Sequence, residues 1–158
     1  MLPQTELGIL ECSSIKTMRS LSALKSAYSA IAERLSAPLE SVRFAVTPQH
    51  DGSAHIESDG NVFAYVVTER GEEYERKTTI NDDDVLYWLV SDLTREMASK
   101  FELAHRNPNA DSRRMLFQKH MELLGTVDQG WQTRKQTEYE TVLEKNPFRD
   151  TMDELIRL

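Results

Sequence analysis

Three consecutive aspartates, Asp82, Asp83 and Asp84, are the densest group of chemically capable side chains in the chain. Carboxylates placed this way can ligate a hard cation, accept the free amide hydrogens of a helix start, or show an acidic patch to a partner. The pattern argues against calcium, because neither the loop glycine at the sixth position nor the bidentate glutamate at the twelfth follows Asp82. Capping and an acidic patch stay open together. His50 and His55 flank Asp51 and offer two metal ligands, but no cysteine or third histidine follows at ligand spacing. They read as a loop histidine and a strand histidine. His120 stands four residues from both Leu116 and Leu124, so it belongs to an apolar helix face and reads as a hydrogen-bonded core or boundary group. Cys12 has no activating base beside it, no serine sits in a glycine elbow, and the six glycines form no phosphate-cradling loop. Glu96, Glu102, Asp111 and Glu122 fall where solvated helix faces are expected, and Arg113, Arg114 and Lys119 form a small basic patch suited to pairing with Glu122. The residues therefore point to no catalytic group, no cofactor and no metal.

The elements that must position these groups follow from apolar periodicity. Ile15, Met18, Leu21, Leu24, Tyr28, Ile31 and Leu35 recur at steps of three and four and predict an amphipathic helix, with Ser13 or Ser14 as its cap and Pro38 behind its end. Alternation then takes over. Val42, Phe44 and Val46 predict one strand, residues 54–57 a second, 62–68 a central third and 73–80 a fourth with one solvated face. The turn signals 58–61 and 69–72 leave room only for hairpins, so the sheet is expected to be an antiparallel meander. From Asp82 the helical period returns, with Leu86, Leu89, Leu93, Met97 and Phe101 on one stripe. Val85, Trp88 and Val90 widen that stripe, which predicts a central helix with Trp88 mostly buried. Pro108 ends it, and Asp111 caps a third helix closed by a left-handed Gly125. A fourth helix follows over 128–145 with Trp131, Tyr139, Val142 and Leu143 inward, and Asp150 caps a short last one through Leu155 and Ile156.

The expected architecture is a single α+β domain over 1–158: an N-terminal helix, about four antiparallel strands, and three to four C-terminal helices on one sheet face. Residues 1–12 are expected to be extended or poorly ordered. A chain of 158 residues can bury about 70% of its extended surface in one core without staples. The single cysteine excludes an internal disulfide and suits a reducing compartment. No segment reads as a signal peptide or a membrane span, which implies a cytoplasmic protein with no membrane partner. Nineteen Lys and Arg against 26 Asp and Glu give a formal charge of −7. That sign opposes nonspecific nucleic-acid binding and favours a basic protein partner.

One stretch carries a resemblance. Residues 81–125 read NDDDVLYWLVSDLTREMASKFELAHRNPNADSRRMLFQKHMELLG: an aspartate-opened helix, an HRNPNAD connector, and a second helix ending in ELLG. Together with strand residues 67–71, Thr78 and Thr79, and with the run from Trp131 to Pro147 and Phe148, the stretch resembles the immunity protein 63 family of bacterial polymorphic-toxin systems. The likeness covers most of the chain from Ser14 onward. It implies a protein that binds and neutralises the C-terminal domain of one cognate toxin, a nuclease being one such target, by steric and electrostatic blockade. The partner is then a basic toxin domain, met through acidic residues at the sheet edge and the central-helix start: Glu69, Glu72, Glu73, Glu75, Asp82, Asp83 and Asp84. Two other classes share the acidic α+β form. An adaptor or chaperone for a secreted effector would serve several partners or act in export, and a hydrolase would need a polar pocket with a perturbed base.

Overall fold

A computed structural model of the chain describes residues 20–150. Helix α1 (Leu21–Arg34) starts where the Ser20 hydroxyl accepts the Ala23 amide hydrogen at 3.1 Å. It buries Leu24, Tyr28 and Ala32, one residue per turn. It ends in a left-handed residue, Ser36 at φ 52°, with the amides of Ala37 and Ser36 closing back on the carbonyls of Ala32 and Glu33. The cap of this helix is thus Ser20 rather than Ser13 or Ser14. Those two, with Cys12, Ile15, Met18 and the expected segment 1–12, lie outside the described residues, as does the expected last helix through Leu155 and Ile156.

Strands β1 (Asp51–Ser58), β2 (Phe63–Glu69) and β3 (Glu72–Thr79) form an antiparallel meander in the order β1-β2-β3. The Asp59 carboxylate accepts the amides of Asn61 and Val62, each at 2.8 Å, and so closes the first turn. Arg70 and Gly71 close the second with φ of 51° and 86°. Two successive positive φ values match the twist of a two-residue hairpin. The sheet has three strands where the sequence suggested four. Residues 42–46 run beside β1 but take one backbone bond from it, Ile56 N–H to the Ala45 carbonyl at 2.9 Å. The reason lies in β1 itself. His50 and Gly52 both have positive φ, and the β1–β2 register shifts between Asp51 and Ala54, so the edge is too irregular to extend a ladder. Val42 and Phe44 still face the core, and Phe44 packs on the Tyr28 ring at 6.3 Å.

Helix α2 (Asp82–Ala104) is the axis of the domain. Val85, Leu86, Tyr87, Leu89, Val90 and Leu93 are all buried. They are covered on several sides, by α1, by the Ile56–Phe63–Tyr65 face of the sheet, and by the C-terminal helices. Each such side chain contributes roughly 1.5–3 kcal/mol of burial. Trp88 is mostly buried, as expected, with its ring on Tyr65 at 5.8 Å and one side left open. Helix α3 (Ser112–Val127) is capped by Asp111, and α4 (Gln129–Lys145) follows after Asp128 alone, which caps it. Gly125 accordingly lies within α3 and terminates nothing. A β-carbon there would meet the Gln132 side chain at 2.7 Å, so the missing side chain lets Gln132 of α4 lie against α3. Phe117 of α3 stacks on Tyr139 of α4 at 3.7 Å, and Tyr87 meets Trp131 edge-on at 5.9 Å. Val142, expected inward, is 41% exposed.

Candidate functional site

The seven carboxylates expected at a partner surface separate into two groups. Glu72, Glu73 and Glu75 are exposed on β3, the free edge of the sheet, and Glu69 is half-buried at the hairpin end. Arg76 holds Glu73 through two bonds of 2.8 and 3.0 Å and reaches Glu57 at 2.8 Å. The same guanidinium keeps both carboxyls below their ordinary range. Lys77 stands 3.7 Å from Glu75, and Arg70 stands 3.9 Å from Glu69. Among the described residues Glu72 has no ion pair, and neither does the exposed Asp83.

The other two aspartates lie in the first turn of α2. Asn81 is the N-cap, accepting the Asp83 amide hydrogen at 3.0 Å. Asp82 is 2% exposed. Asp84 accepts the Thr79 hydroxyl at 2.8 Å and pairs with Arg134 of α4 at 2.9 Å, so it ties β3 and α4 to the head of α2. Capping and surface presentation are thus divided among neighbours, with Asp83 alone of the three exposed.

Other groups expected to matter have structural duties. His55 is 1% exposed and meets Glu57 at 3.1 Å through Nε2, while His50 is exposed in a left-handed turn. Among the described residues no three His, Cys, Asp or Glu side chains come together as a metal site. Glu102 is buried and held by Arg106 at 2.9 Å, and the half-buried Glu96 accepts the Ser41 hydroxyl at 2.7 Å. Glu102 is thus not the solvated residue its position suggested, whereas Glu96 keeps a side chain 42% exposed and paired with Lys100. Arg113 and Arg114 form no patch with Glu122, which pairs with Lys119 at 3.1 Å. Arg113 instead donates to the carbonyls of Asn146 and Pro147, at 2.9 and 2.8 Å, and Arg114 grips Asp150. Both lie over the Phe148 ring, so together they strap the segment after α4 onto α3.

One cleft was not anticipated. About 360 Å³ in volume, it opens between β3, α2, α3 and α4. Its walls include Lys77, Trp88, Asp92, Arg95, Lys135 and Glu138, with His120 and Tyr139 also lining it. The Tyr65 hydroxyl donates to Asp92, and the Tyr87 hydroxyl donates to Glu138 at 2.9 Å while Lys135 pairs with the same carboxylate. Burial raises the Asp92 carboxyl, the Tyr65 bond opposing the shift in part. Lys77 lies over the rings of Tyr65 and Trp88 at 4.3 and 4.9 Å.

His120 is 1% exposed, and its Nδ1 meets the Tyr139 hydroxyl. Desolvation, with the nearby Lys135 charge second, lowers its pKa to about 3, so the ring is neutral at physiological pH. Tyr139 is raised to about 12 by its burial and keeps its proton. This pair is no catalytic relay, since the histidine holds neither a nucleophile nor an orienting carboxylate. The cleft had a sequence signal, though an indirect one. Trp88, Asp92 and Arg95 on α2, and Lys135, Glu138 and Val142 on α4, recur at steps of three and four beside apolar stripes. Nothing in the periodicity alone shows that these two stripes face each other.

With this geometry in place the comparison with known families is decisive. The profile of the immunity protein 63 family matches residues 59–141, which is the span from the first hairpin turn through β2, β3, α2, α3 and most of α4. The chain belongs to that family. The match is narrower than the resemblance suggested, since α1 and the segment before it fall outside. No curated protein and no solved structure matches the chain. Membership in the immunity protein 63 family assigns the chain to toxin immunity, and so to binding a cognate toxin. No helix among the described residues is long and apolar enough to cross a membrane.

Proposed function

We propose that this immunity protein neutralises a basic toxin domain by lying across it with the edge strand β3 and the exposed start of α2. The block is steric and electrostatic. The observation that carries this reading is the free acidic edge. Among the described residues β3 pairs with β2 on one side only, and it carries the exposed Glu72, Glu73 and Glu75, continued by Asp83. A strand with an unpaired row of amides and carbonyls offers backbone hydrogen bonds to a partner, and its charges select the partner's sign. A net charge of −7 adds long-range attraction toward a basic domain. Nuclease toxins, whose active sites bind phosphate, fit this sign, and a cytoplasmic site of action fits the composition. An interface of standard size would cover about 800 Å² on each partner.

The test is protection. Cells expressing the toxin domain that accompanies this gene are expected to survive with the wild-type chain. They are expected to lose that protection when Glu72, Glu73, Glu75 and Asp83 are all replaced by lysine, while the variant keeps its circular dichroism and melting point. Full protection by the folded quadruple variant would sink the proposed surface. Failure of the wild-type chain to protect would sink the reading itself.

A further inference from the structure

Within an acidic protein the cleft between α2 and α4 gathers cationic side chains. Lys77, Arg95 and Lys135 line it against Asp92 and Glu138. Most of these charges are already engaged. Lys135 is bonded to Glu138, Lys77 pairs with Glu75 and lies over two aromatic rings, and Asp92 accepts the Tyr65 hydroxyl. Arg95 differs. It is exposed, and among the described residues its guanidinium has neither an ion pair nor a side-chain hydrogen bond. A guanidinium presents a planar fork of donors that matches a carboxylate in two bonds.

The buried wall adds no second free donor, since the His120 ring meets the Tyr139 hydroxyl through Nδ1 and also bonds the Ser91 backbone. Arg95 is thus the donor at this concavity that has no acceptor among the described residues. The open side of the Trp88 ring and the exposed Val142 supply apolar wall for a methylene stem.

We propose that this cleft receives an acidic side chain, aspartate or glutamate, from the toxin domain, with its carboxylate gripped by Arg95 and its stem against Trp88. The inference rests on the immunity reading, because it names the part of the partner that is held. It also adds what the acidic edge cannot supply. An acidic edge attracts any basic domain, whereas the one unpaired guanidinium in this cleft favours a carboxylate at one position. Specificity between toxins is a difference of affinities, and such a preference creates one.

The experiment uses the full chain and two probes, the blocked tripeptides Ac-Gly-Glu-Gly-NH2 and Ac-Gly-Gln-Gly-NH2, followed by amide and indole NMR shifts. The glutamate peptide is expected to move the Trp88 indole and the residues around Arg95 saturably, and the glutamine peptide is expected to bind about tenfold more weakly, as losing one charged pair implies. Arg95→Gln is expected to erase the difference between the peptides, while Arg95→Lys keeps part of it. Equal binding of the two peptides, or no saturable shift at these residues, overturns the assignment. So does inorganic phosphate, if it occupies the cleft more tightly than the glutamate peptide, since the site would then be one for a small anion. In cells, Arg95→Glu is expected to abolish protection against the cognate toxin. Loss of peptide binding with wild-type protection intact defeats the cleft alone, and absence of wild-type protection defeats the immunity reading.

Discussion

Between Glu72 and Asp84 the same acidic chemistry meets two environments a few residues apart. On β3, Glu72, Glu73 and Glu75 stand in water on a strand that buries none of its eight residues. At the head of α2, Asp82 is buried, Asp84 binds Thr79 and Arg134, and the following turns vanish into the core. Exposed pairs of the β3 kind contribute little to stability, because water and salt screen them. Carboxylates at a packed helix start cannot be moved without loss. The difference separates residues free to serve a partner from residues committed to the fold, and composition alone does not draw that line.

The largest expected effect sharpens this contrast directly. Leu93→Ala, in the buried face of α2, is expected to cost about 2–5 kcal/mol in urea unfolding. Tyr74 on β3 is 63% exposed. Tyr74→Ala is expected to change stability by less than about 0.5 kcal/mol. Comparable losses at the two positions would mean that β3 is held far more firmly than its exposure indicates.

A second prediction concerns pH and the core side of the comparison. His120 is neutral in the folded state, its pKa lowered to about 3. In the unfolded chain it takes up a proton near its ordinary value of about 6.5. The unfolded state therefore binds more protons between these values. The His120 contribution is fully present above about pH 6.5 and is lost as pH falls toward 3, at up to about 1.4 kcal/mol per unit. Carboxylates act in the same direction, so the informative measurement is the difference between wild type and His120→Gln at pH 7 and pH 4.5. The variant is expected to be less stable at pH 7 and to lose less on acidification. Parallel losses would show that His120 accepts its proton without unfolding.

Much of this architecture was legible before the structure. The steps of three and four in α1, α2 and α3, the hairpin turns at Gly60 and Gly71, the central place of β2 and the cap at Asp111 all follow from local rules. What escaped was set by contacts between distant residues. Residues 42–46 alternate like a strand, but their intended neighbour is bent at Gly52. Gly125 looks like a helix end, yet its role is set by Gln132 on the next helix. Trp88 belongs to an apolar run and still faces a cleft, because α4 packs on Tyr87 and stops short of it. The acidic residues of the candidate surface were visible as residues, while their division into exposed and structural was not.

A smaller effect is expected where the two environments join. Arg134 pairs with Asp84 and lies over the Tyr87 ring at 4.0 Å. Both charged groups retain substantial solvent exposure, 40% and 32%. A double-mutant cycle of Arg134→Ala and Asp84→Ala is accordingly expected to give a coupling of about 0.5–1 kcal/mol, reduced by added salt. A coupling near zero would leave β3 and α4 without their charged tie to the head of α2. The boundary between working and structural acids would then shift past Asp84.

The smallest expected change in stability carries the functional side of the comparison. Glu72→Lys with Asp83→Lys removes two carboxylates that have no ion pair among the described residues. Only Asp83 touches stability, through the first turn of α2, where reversing a charge against the helix dipole costs about 0.3–1 kcal/mol. Glu72 lies on the free edge and should cost less still. Association is another matter. Complementary charge speeds encounter more than it deepens affinity, and the effect fades once the screening length shortens to about 10 Å near 0.1 M salt. The double variant is therefore expected to bind the toxin domain with a slower on-rate at low salt, and wild type and variant should converge as salt rises. Stopped-flow association across a salt series, read beside a thermal melt of the same variant, separates the two effects. A slower on-rate at unchanged melting point assigns these carboxylates to the partner. An unchanged on-rate would move the interface away from the β3 edge, leaving the cleft beside Arg95 as the surface still to be tested.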